Sequence, residues 1–451
     1  MTGLTQRLGS FVIDLRLEDV PADALRTAKT GFTDCFAVMI AGQRDDVSGL
    51  VDRAMASSDR AEQASIIPTG AKRNVEDAAL INGVSAHVLD YDDVTLDGHP
   101  SAVLVPAILA QAEASGSSGA EMLLAYVAGY EVWAELLVRE PTPLHQKGWH
   151  PTALRGTVAA AAACARLRGL TAKQTATAMA ISASMAGGLV ANFGTLTKCF
   201  QVGRAAQSGV LAARLAQAGL TGSPDALEHP SGFLAATSPL GQADLNRVFD
   251  SARREWHLSR QGLNIKRYPI CYATHRAIDA AIDLADDNDL TSANVAKIRV
   301  FTGEMQMVML RNERPRTGFE AKFSMPFAMA SAIVERKVGL AQLTDAFVLR
   351  PDVQSLFSKV SYELTKETLD GSAFAPEESV EVVTTSGKTL HSDTIKFAKG
   401  SHQRPLTQEE LREKFDDCLG DQFDRKVKTN TFDRLSNLER LNTAADLITL
   451  G

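Results

Sequence analysis

Residues 89–110, LDYDDVTLDGHPSAVLVPAILA, run from an acidic segment through His99 and a proline into an apolar segment. Proline is favoured at the first position of a helix, so His99 is predicted to lie near the N-cap of an apolar helix. Residues 148–163, GWHPTALRGTVAAAAA, repeat this arrangement with His150. Alanine-rich helices let neighbouring backbones approach closely, and the two segments together predict a compact helical bundle.

Helical spacing of Ala, Leu and Arg continues over most of the chain up to about residue 260. Within this part, helices are predicted over residues 21–39, 75–89, 152–167, 172–186 and 204–218.

From about residue 294 the pattern changes to an alternation rich in β-branched residues, which is typical of strands. Strands are predicted at 295–301 and 380–384, and Ser386 with Gly387 turns the second of these into a hairpin with residues 388–395. Helices are predicted between the strands, at 325–336 and 340–346. This block therefore reads as a smaller α+β domain.

After Gly400 the sequence is helical again, from a capping box of Thr407 and Glu410. At 451 residues the chain exceeds the size at which one hydrophobic core keeps growing, so two domains are expected. The predicted fold class is mainly α. Residues 1–262 and 402–451 form an all-helical domain, and residues 263–401 form the α+β domain inserted into it.

Composition excludes several function classes. The net charge of -7 argues against nucleic-acid partners, because proteins that bind them usually carry a basic face. No apolar run reaches the roughly 18 residues of a membrane helix, and the first residues lack the pattern of a secretory signal. The 5 cysteines are odd in number and far apart, as suits reduced thiols. A cytoplasmic protein without nucleic-acid or membrane partners is predicted.

His99 and His150 are the candidate acid and base. A helix N-terminus lowers the pKa of an imidazole and attracts anions, and a neutral imidazole beside a bound carboxylate is a suitable base for a carbon acid. The alternative is that both histidines simply cap their helices. A third His-Pro pair at His229 lies in a polar loop and is interpreted as background.

Acidic residues precede His99. His87, Asp90 and Asp93 follow one another at intervals of three, which places them on one face of a predicted helix. This face could orient His99 and fix its tautomer, could bind magnesium, or could simply be solvated. The spacing of the acidic residues up to Asp97 does not match the Asp-Asp-x-x-Asp pattern of diphosphate-binding synthases, so that class is disfavoured.

Two lysines lie close to predicted helix starts. Lys198 precedes the helix expected to begin near Arg204, and Lys266 precedes the one that begins at Thr274 and His275. Lys266, the N-terminus of that helix and His275 are predicted to form an anion site. The alternative for each lysine is an ordinary exposed side chain.

These segments resemble the MmgE/PrpD family, whose members include a 2-methylcitrate dehydratase, a cis-aconitate decarboxylase and an iminodisuccinate epimerase. The matching segments are residues 89–110, 148–163, 194–216 (GTLTKCFQVGRAAQSGVLAARLA), 265–281 (IKRYPICYATHRAIDAA) and 320–334 (EAKFSMPFAMASAIV). The resemblance implies a homodimer in which the smaller α+β domain acts as a lid. It also implies a pocket between the two domains.

The resemblance carries catalytic roles over to five residues that match the family in type: Asp90, His99, His150, Lys198 and Lys266. The predicted substrate-binding residues are Asp93, Arg204, Tyr268, Cys271, His275 and Phe327. Cys271 and Phe327 stand where the decarboxylase branch has histidine and tyrosine, and Gln201 replaces a histidine frequent in other relatives. These differences argue against cis-aconitate decarboxylation.

The predicted function is a lyase of the hydratase or dehydratase type that acts on a small di- or tricarboxylate without a metal or organic cofactor. Lys198 and Lys266 would hold carboxylates, while His99 and His150 would serve as base and acid in either order. An epimerase needs the same groups, so it stays an alternative, together with a decarboxylase. The sequence also leaves open a non-catalytic binding protein and a magnesium-dependent diphosphate enzyme.

Overall fold

The structure is a computed structural model that describes residues 3–56, 61–250, 255–369 and 374–448. The chain divides into two compact units, one made of residues 1–264 and 411–451 and the other of residues 265–410.

The first unit is a bundle of α-helices with one short two-stranded sheet. Its helices before residue 264 are α1 (Leu4–Asp14), α2 (Ala22–Gly42), α3 (Asp46–Met55), α4 (Val75–His87), α5 (Pro100–Ser115), α6 (Gly119–Arg139), α7 (Pro151–Leu167), α8 (Ala172–Met185), α9 (Thr197–Gln217), α10 (Phe233–Thr237) and α11 (His257–Arg260). Strands β1 (Ala64–Ser65) and β2 (Lys72–Arg73) pair antiparallel. Every residue of α5 from Pro100 to Ala112 is buried, as expected for a helix that is apolar all round.

The second unit combines helices with a four-stranded sheet. Its elements are α12 (His275–Asp287), β3 (Val295–Gly303), α13 (Glu304–Met309), α14 (Gly318–Ala321), α15 (Met325–Glu335), α16 (Asp345–Val348), α17 (Pro351–Phe357), β4 (Val360–Thr365), β5 (Ser379–Thr384) and β6 (Thr389–His391). The strand order is β4-β3-β5-β6, in which β3 and β4 are parallel and the other neighbours antiparallel. Gly387 makes the β5–β6 turn with a φ of 86°.

The chain closes with α18 (Gln408–Leu419), α19 (Arg425–Ser436) and α20 (Ala445–Ile448). The predicted capping box forms, because Thr407 and Glu410 exchange backbone and side-chain hydrogen bonds. Glu410 also pairs with Arg267 and Lys399 of the second unit. The boundary therefore falls inside α18, later than the predicted residue 401.

The prediction of a mainly α fold is confirmed, but three local predictions are wrong and one strand is missing from them. Residues 340–346 form a 3-10 turn at Leu340–Gln342 followed by the separate α16 rather than one helix. Strand β4 was not predicted. Helix α4 ends at His87 rather than residue 89, and α9 begins at Thr197, so Lys198 lies inside this helix and not before it.

Two further observations concern the residues that the structure describes. None of their helices is long and apolar enough to span a lipid bilayer. All 5 cysteines are buried and free of disulfide bonds.

Helices α4 and α9 meet through two glycines, which lets their backbones come into contact. A Cβ atom on Gly83 would lie 2.7 Å from the Cα atom of Gly203. A Cβ atom on Gly203 would overlap the carbonyl oxygen of Leu80. Since α4 and α9 carry His87 and Lys198 respectively, this close approach sets the separation of two candidate site residues.

We expect Gly203→Ala to lower the free energy of unfolding by about 1–3 kcal/mol, because the added methyl group must displace a helix backbone. Gly49→Ala is the matched control, since its Cβ would meet only the end of the Arg53 side chain, at 3.3 Å. That variant should be as stable as the parent or up to about 1 kcal/mol more stable. Thermal unfolding followed by circular dichroism compares the two, and equal stability of Gly203→Ala and the parent would contradict the close packing of α4 on α9.

Candidate active site

His99 and His150 occupy equivalent places at the starts of two buried helices. His99 is the N-cap of α5 and His150 the N-cap of α7, each followed by a proline at the first helical position. Neither side chain makes a capping hydrogen bond. The predicted N-cap positions are therefore confirmed, whereas the alternative that these histidines serve only as caps is wrong. Their imidazoles bond to other groups.

A single carboxylate, that of Asp92, bonds to two imidazoles. His87 Nδ1 lies 3.1 and 3.0 Å from the two carboxylate oxygens, and His99 Nδ1 lies 3.0 Å from Oδ2. The side chains of Asp92 and His87 are fully buried. Burial alone would raise the pKa of Asp92, but the two imidazoles hold it well below its usual value. Burial lowers the pKa of His87 to about 4, so an ionised Asp92 faces a neutral His87.

The hydrogen-bond partners assign the His99 tautomer. Besides the Asp92 carboxylate, His99 Nδ1 faces the backbone oxygen of Asp93 at 2.9 Å. Both partners can only accept, so Nδ1 carries the proton and Nε2 presents its lone pair when the ring is neutral. Among the described residues, none bonds to His99 Nε2. This nitrogen can therefore exchange a proton with a ligand.

The segment between His87 and His99 is held in an unusual backbone conformation. Asp90, Leu96 and Asp97 have φ angles of 53°, 52° and 60°, in the left-handed region that side chains other than glycine seldom adopt. Such strain persists only where surrounding contacts enforce it. Three contacts do so here, namely Trp133 Nε1 to Leu96 O at 3.0 Å, Arg155 to Asp97 at 3.3 Å and Lys414 Nζ to Tyr91 O at 2.9 Å.

Lys198 projects from the first turn of α9 toward this segment. Its Nζ lies 2.8 Å from Asp90 Oδ1 and 5.7 Å from the centre of the Phe193 ring. The same ring packs edge-on against His150, with 4.8 Å between the ring centres. Phe193 therefore contacts both Lys198 and His150, and its ring covers part of the His150 imidazole.

His150 has a neutral partner. Its Nδ1 lies 2.6 Å from Oε1 of Gln201, one turn along α9 from Lys198. Burial, reinforced by the nearby His87 ring, lowers the pKa of His150 to about 2. The ring centres of His87 and His150 are 6.4 Å apart, and those of His87 and His99 are 4.5 Å apart. The three imidazoles form one group, here called the histidine cluster.

The structure thus brings together four of the five predicted catalytic residues, which are Asp90, His99, His150 and Lys198. Asp90 does not lie on the helical face that the sequence predicted, because α4 ends at His87. The group that orients His99 is instead Asp92.

Two predicted substrate-binding residues of this unit are placed differently from the prediction. Asp93 is fully buried, and burial together with the carboxylates of Asp92 and Asp34 raises its pKa well above the usual value. Asp93 therefore contributes through its backbone oxygen. Arg204 is exposed and extends along α9 to Gln207, at 2.5 Å, rather than toward Lys198.

The remaining predicted residues belong to the second unit. Lys266 is buried there, with 2% of its surface exposed. Tyr268 donates to Asp279 at 2.6 Å, and the buried His275 ring bonds to the backbone oxygen of Ile270 at 3.2 Å. Cys271 and Phe327 are part of the hydrophobic core, in which Phe327 packs against Phe347. These positions give the residues structural contacts, and their role with substrate stays a prediction.

Sequence reasoning missed three contributors to the site. Asp92 follows His87 by five residues across a helix end, and this spacing is the signal that the sequence offers for their contact. Phe193 had no recognisable pattern, because an aromatic residue in a loop is common, and Gln201 was distinguished only as the replacement of a histidine frequent in other relatives. Their roles depend on the fold that brings them to His150.

One group of donors in the described part of the chain could accommodate a metal ion. The ligand atoms of His87, Asp92 and His99 lie within 4.8 Å of one another. Two imidazoles and one carboxylate are a donor set that zinc accepts. The same atoms already satisfy one another, since the carboxylate accepts a hydrogen bond from each ring. These three groups are therefore paired with one another through hydrogen bonds that do not involve a cation.

Comparison with known proteins identifies relatives along nearly the whole chain. The human cis-aconitate decarboxylase is 31% identical over 386 residues, which cover 83% of this chain and 78% of that protein. The cis-aconitate decarboxylase of Aspergillus terreus is 24% identical over 474 residues, covering 100% and 96% of the two chains. A cis-aconitate decarboxylase-like protein of Aspergillus oryzae is 26% identical, covering 98% and 95%.

The family domains match in the same order. The MmgE/PrpD N-terminal domain matches residues 6–246, which include the whole histidine cluster and Lys198. The MmgE/PrpD C-terminal domain matches residues 268–438, which include the four-stranded sheet. The resemblance inferred from sequence is confirmed, and this chain belongs to the MmgE/PrpD family.

Proposed function

We propose that this protein is a lyase of the hydratase or dehydratase type that acts on a small di- or tricarboxylate and uses no metal or organic cofactor. The observation that carries the proposal is the arrangement of His99 and His150. Each imidazole binds the protein through Nδ1, so each can present Nε2 to a ligand, and Lys198 supplies a cation beside them. Removing a proton next to a carboxylate requires such a base together with a cation that stabilises the developing charge.

His99 is the better placed of the two imidazoles to carry a full proton. When Nε2 accepts a proton from carbon, the ring becomes a cation whose Nδ1–H still points at the ionised Asp92. This ion pair forms in a buried setting, where its attraction is stronger than in water. Lys198, and Lys266 as the second proposed cation, would hold the carboxylates of the substrate. A positioned acid or base of this kind typically contributes about 10²- to 10⁴-fold in rate.

Exchange of carbon-bound protons with heavy water tests the proposal. The protein is incubated in D2O with a panel that includes citrate, 2-methylcitrate and cis-aconitate, and mass spectrometry follows deuterium incorporation and product formation. We expect exchange or water addition with one member of the panel and its loss in His99→Gln. Exchange without net addition or loss of water would favour an epimerase. The absence of exchange with every acid would favour a non-catalytic protein.

Decarboxylation of cis-aconitate is the second candidate, because the relatives named above are cis-aconitate decarboxylases. The Phe327 ring lies in the hydrophobic core of the second unit. Phenylalanine in place of tyrosine at this position would disfavour decarboxylation only if the ring lined the pocket. The D2O experiment separates the two candidates. Release of itaconate and carbon dioxide from cis-aconitate at about 1 per second or faster would favour decarboxylation, and formation of a hydroxy acid would favour the lyase proposed first.

We expect Lys198→Met to raise KM for the polycarboxylate by about 10- to 100-fold, the loss of one charge-assisted hydrogen bond. Lys173→Met is the matched control, because Lys173 is exposed on α8 and should leave KM unchanged. Steady-state kinetics with the substrate found in the D2O panel measures both. An unchanged KM in Lys198→Met, with the fold intact, would exclude this lysine as a carboxylate ligand.

Chelation should leave activity intact. The Nδ1 atoms of His87 and His99 are already paired with the Asp92 carboxylate, so we expect full turnover after dialysis against EDTA. The measurement compares kcat before and after dialysis, with added Zn²⁺ or Mg²⁺ as further conditions. Loss of activity that one metal restores would show that these three residues form a metal site.

We also propose that the protein is a cytoplasmic homodimer. The buried, free cysteines fit a reducing compartment. Light scattering coupled to size-exclusion chromatography measures the oligomeric state, and a monomer at micromolar concentration would refute the dimer.

A further inference from the structure

The orientation of the Gln201 amide is fixed by a second contact. Its Nε2 donates to the backbone oxygen of Leu189 at 3.1 Å. A carbonyl oxygen can only accept, so the NH2 group must face Leu189. The amide oxygen therefore faces His150 Nδ1, at 2.6 Å. Because an amide oxygen is also only an acceptor, His150 Nδ1 must carry the proton.

The other ring nitrogen of His150, Nε2, is then unprotonated and carries a lone pair. No described residue bonds to His150 Nε2. The titratable groups that lower the pKa of this ring are His87 at the end of α4, His99 before α5 and Lys198 on α9, and each disfavours a second proton on it. Phe193, packed edge-on, adds no hydrogen-bonding group. A ligand that binds at Nε2 must consequently bring its own donor.

We infer that Gln201 is a positioning residue that keeps the His150 ring neutral, with its proton on Nδ1. Nε2 then accepts a hydrogen bond from the O–H of a substrate hydroxyl group or of a water molecule. The inference rests on the proposed function and narrows its substrate class to hydroxy polycarboxylates and their dehydrated partners. A carboxylate alone offers no donor to this nitrogen, so an unsaturated polycarboxylate would be bound here together with the water molecule that adds to it. His99, beside the anion of Asp92, and His150, beside a neutral amide, are thereby given different tasks.

Nitrogen-15 NMR of the free protein tests the tautomer without any substrate. Ring-labelled histidine is incorporated, and the His150 signals are assigned by their loss in His150→Gln. In the parent protein near neutral pH we expect Nδ1 to show the shift of a protonated nitrogen and Nε2 that of an unprotonated one. Gln201→Leu should mix or reverse the two forms. Gln201→Glu, which keeps an acceptor, should retain the proton on Nδ1.

Kinetics of the same variants supply the functional readout. We expect Gln201→Leu to lower kcat by about 10²-fold with little change in KM, since one positioned proton acceptor is lost, and Gln201→Glu to recover part of this loss. Gln207→Leu, on the same helix, is the control, because it also loses side-chain hydrogen bonds, to Arg204 and Asp77, but should match the parent in kcat.

A protonated Nε2 on His150 in the parent, or an unchanged tautomer in Gln201→Leu, overturns the inference. Unchanged kcat in Gln201→Leu also overturns it. If the NMR result is as expected but no polycarboxylate reacts in the D2O panel, the proposed function fails while the assigned role of Gln201 in fixing the tautomer holds.

Discussion

The buried carboxylate of Asp92 is the constraint on which the site depends. An ionised group without access to water is costly unless hydrogen bonds replace its hydration, and here two imidazole N–H groups do so. One imidazole ends α4 and the other begins α5, so the carboxylate fixes where one helix stops and the next starts. The strained backbone between them, with Asp90 and Asp97 in the left-handed region, is tolerated because this geometry satisfies the charge.

The two N-cap histidines show how one local motif yields two chemical environments. Both precede a proline and both use Nδ1 to bind the protein. The partner of His99 is an anion and that of His150 is an amide, so only His99 gains a counter-ion when protonated. Differences of this kind let a pair of like residues divide acid, base and binding tasks. The two imidazoles differ here because Asp92 bonds to Nδ1 of His99 and Gln201 bonds to Nδ1 of His150.

Sequence patterns predicted the elements better than the contacts between them. The helix starts at His99 and His150 followed from the His-Pro pairs, and the change to strands near residue 295 followed from β-branched alternation. Helix ends were less accurate, because α4 stops two residues early when Asp90 takes a positive φ. Strand β4 was missed although VSYELT alternates between apolar and polar residues, which is the pattern of a half-buried strand. The roles of Asp92 and Gln201 could not be predicted, since they depend on which imidazole each side chain bonds to.

The contact between Lys414 and the backbone oxygen of Tyr91 joins residues 323 positions apart in the sequence. The same ammonium group is buried, pairs with Asp34 and lies 4.0 Å from the centre of the Tyr91 ring. The segment that links His87 to His99 is thus held by a side chain from α18, which is translated after the second unit. On the ribosome, the N-terminal helices can form early, but this part of the site stays open until residue 414 has emerged from the exit tunnel. A nascent or C-terminally truncated chain would therefore hold the helices of the bundle without a fully assembled active site.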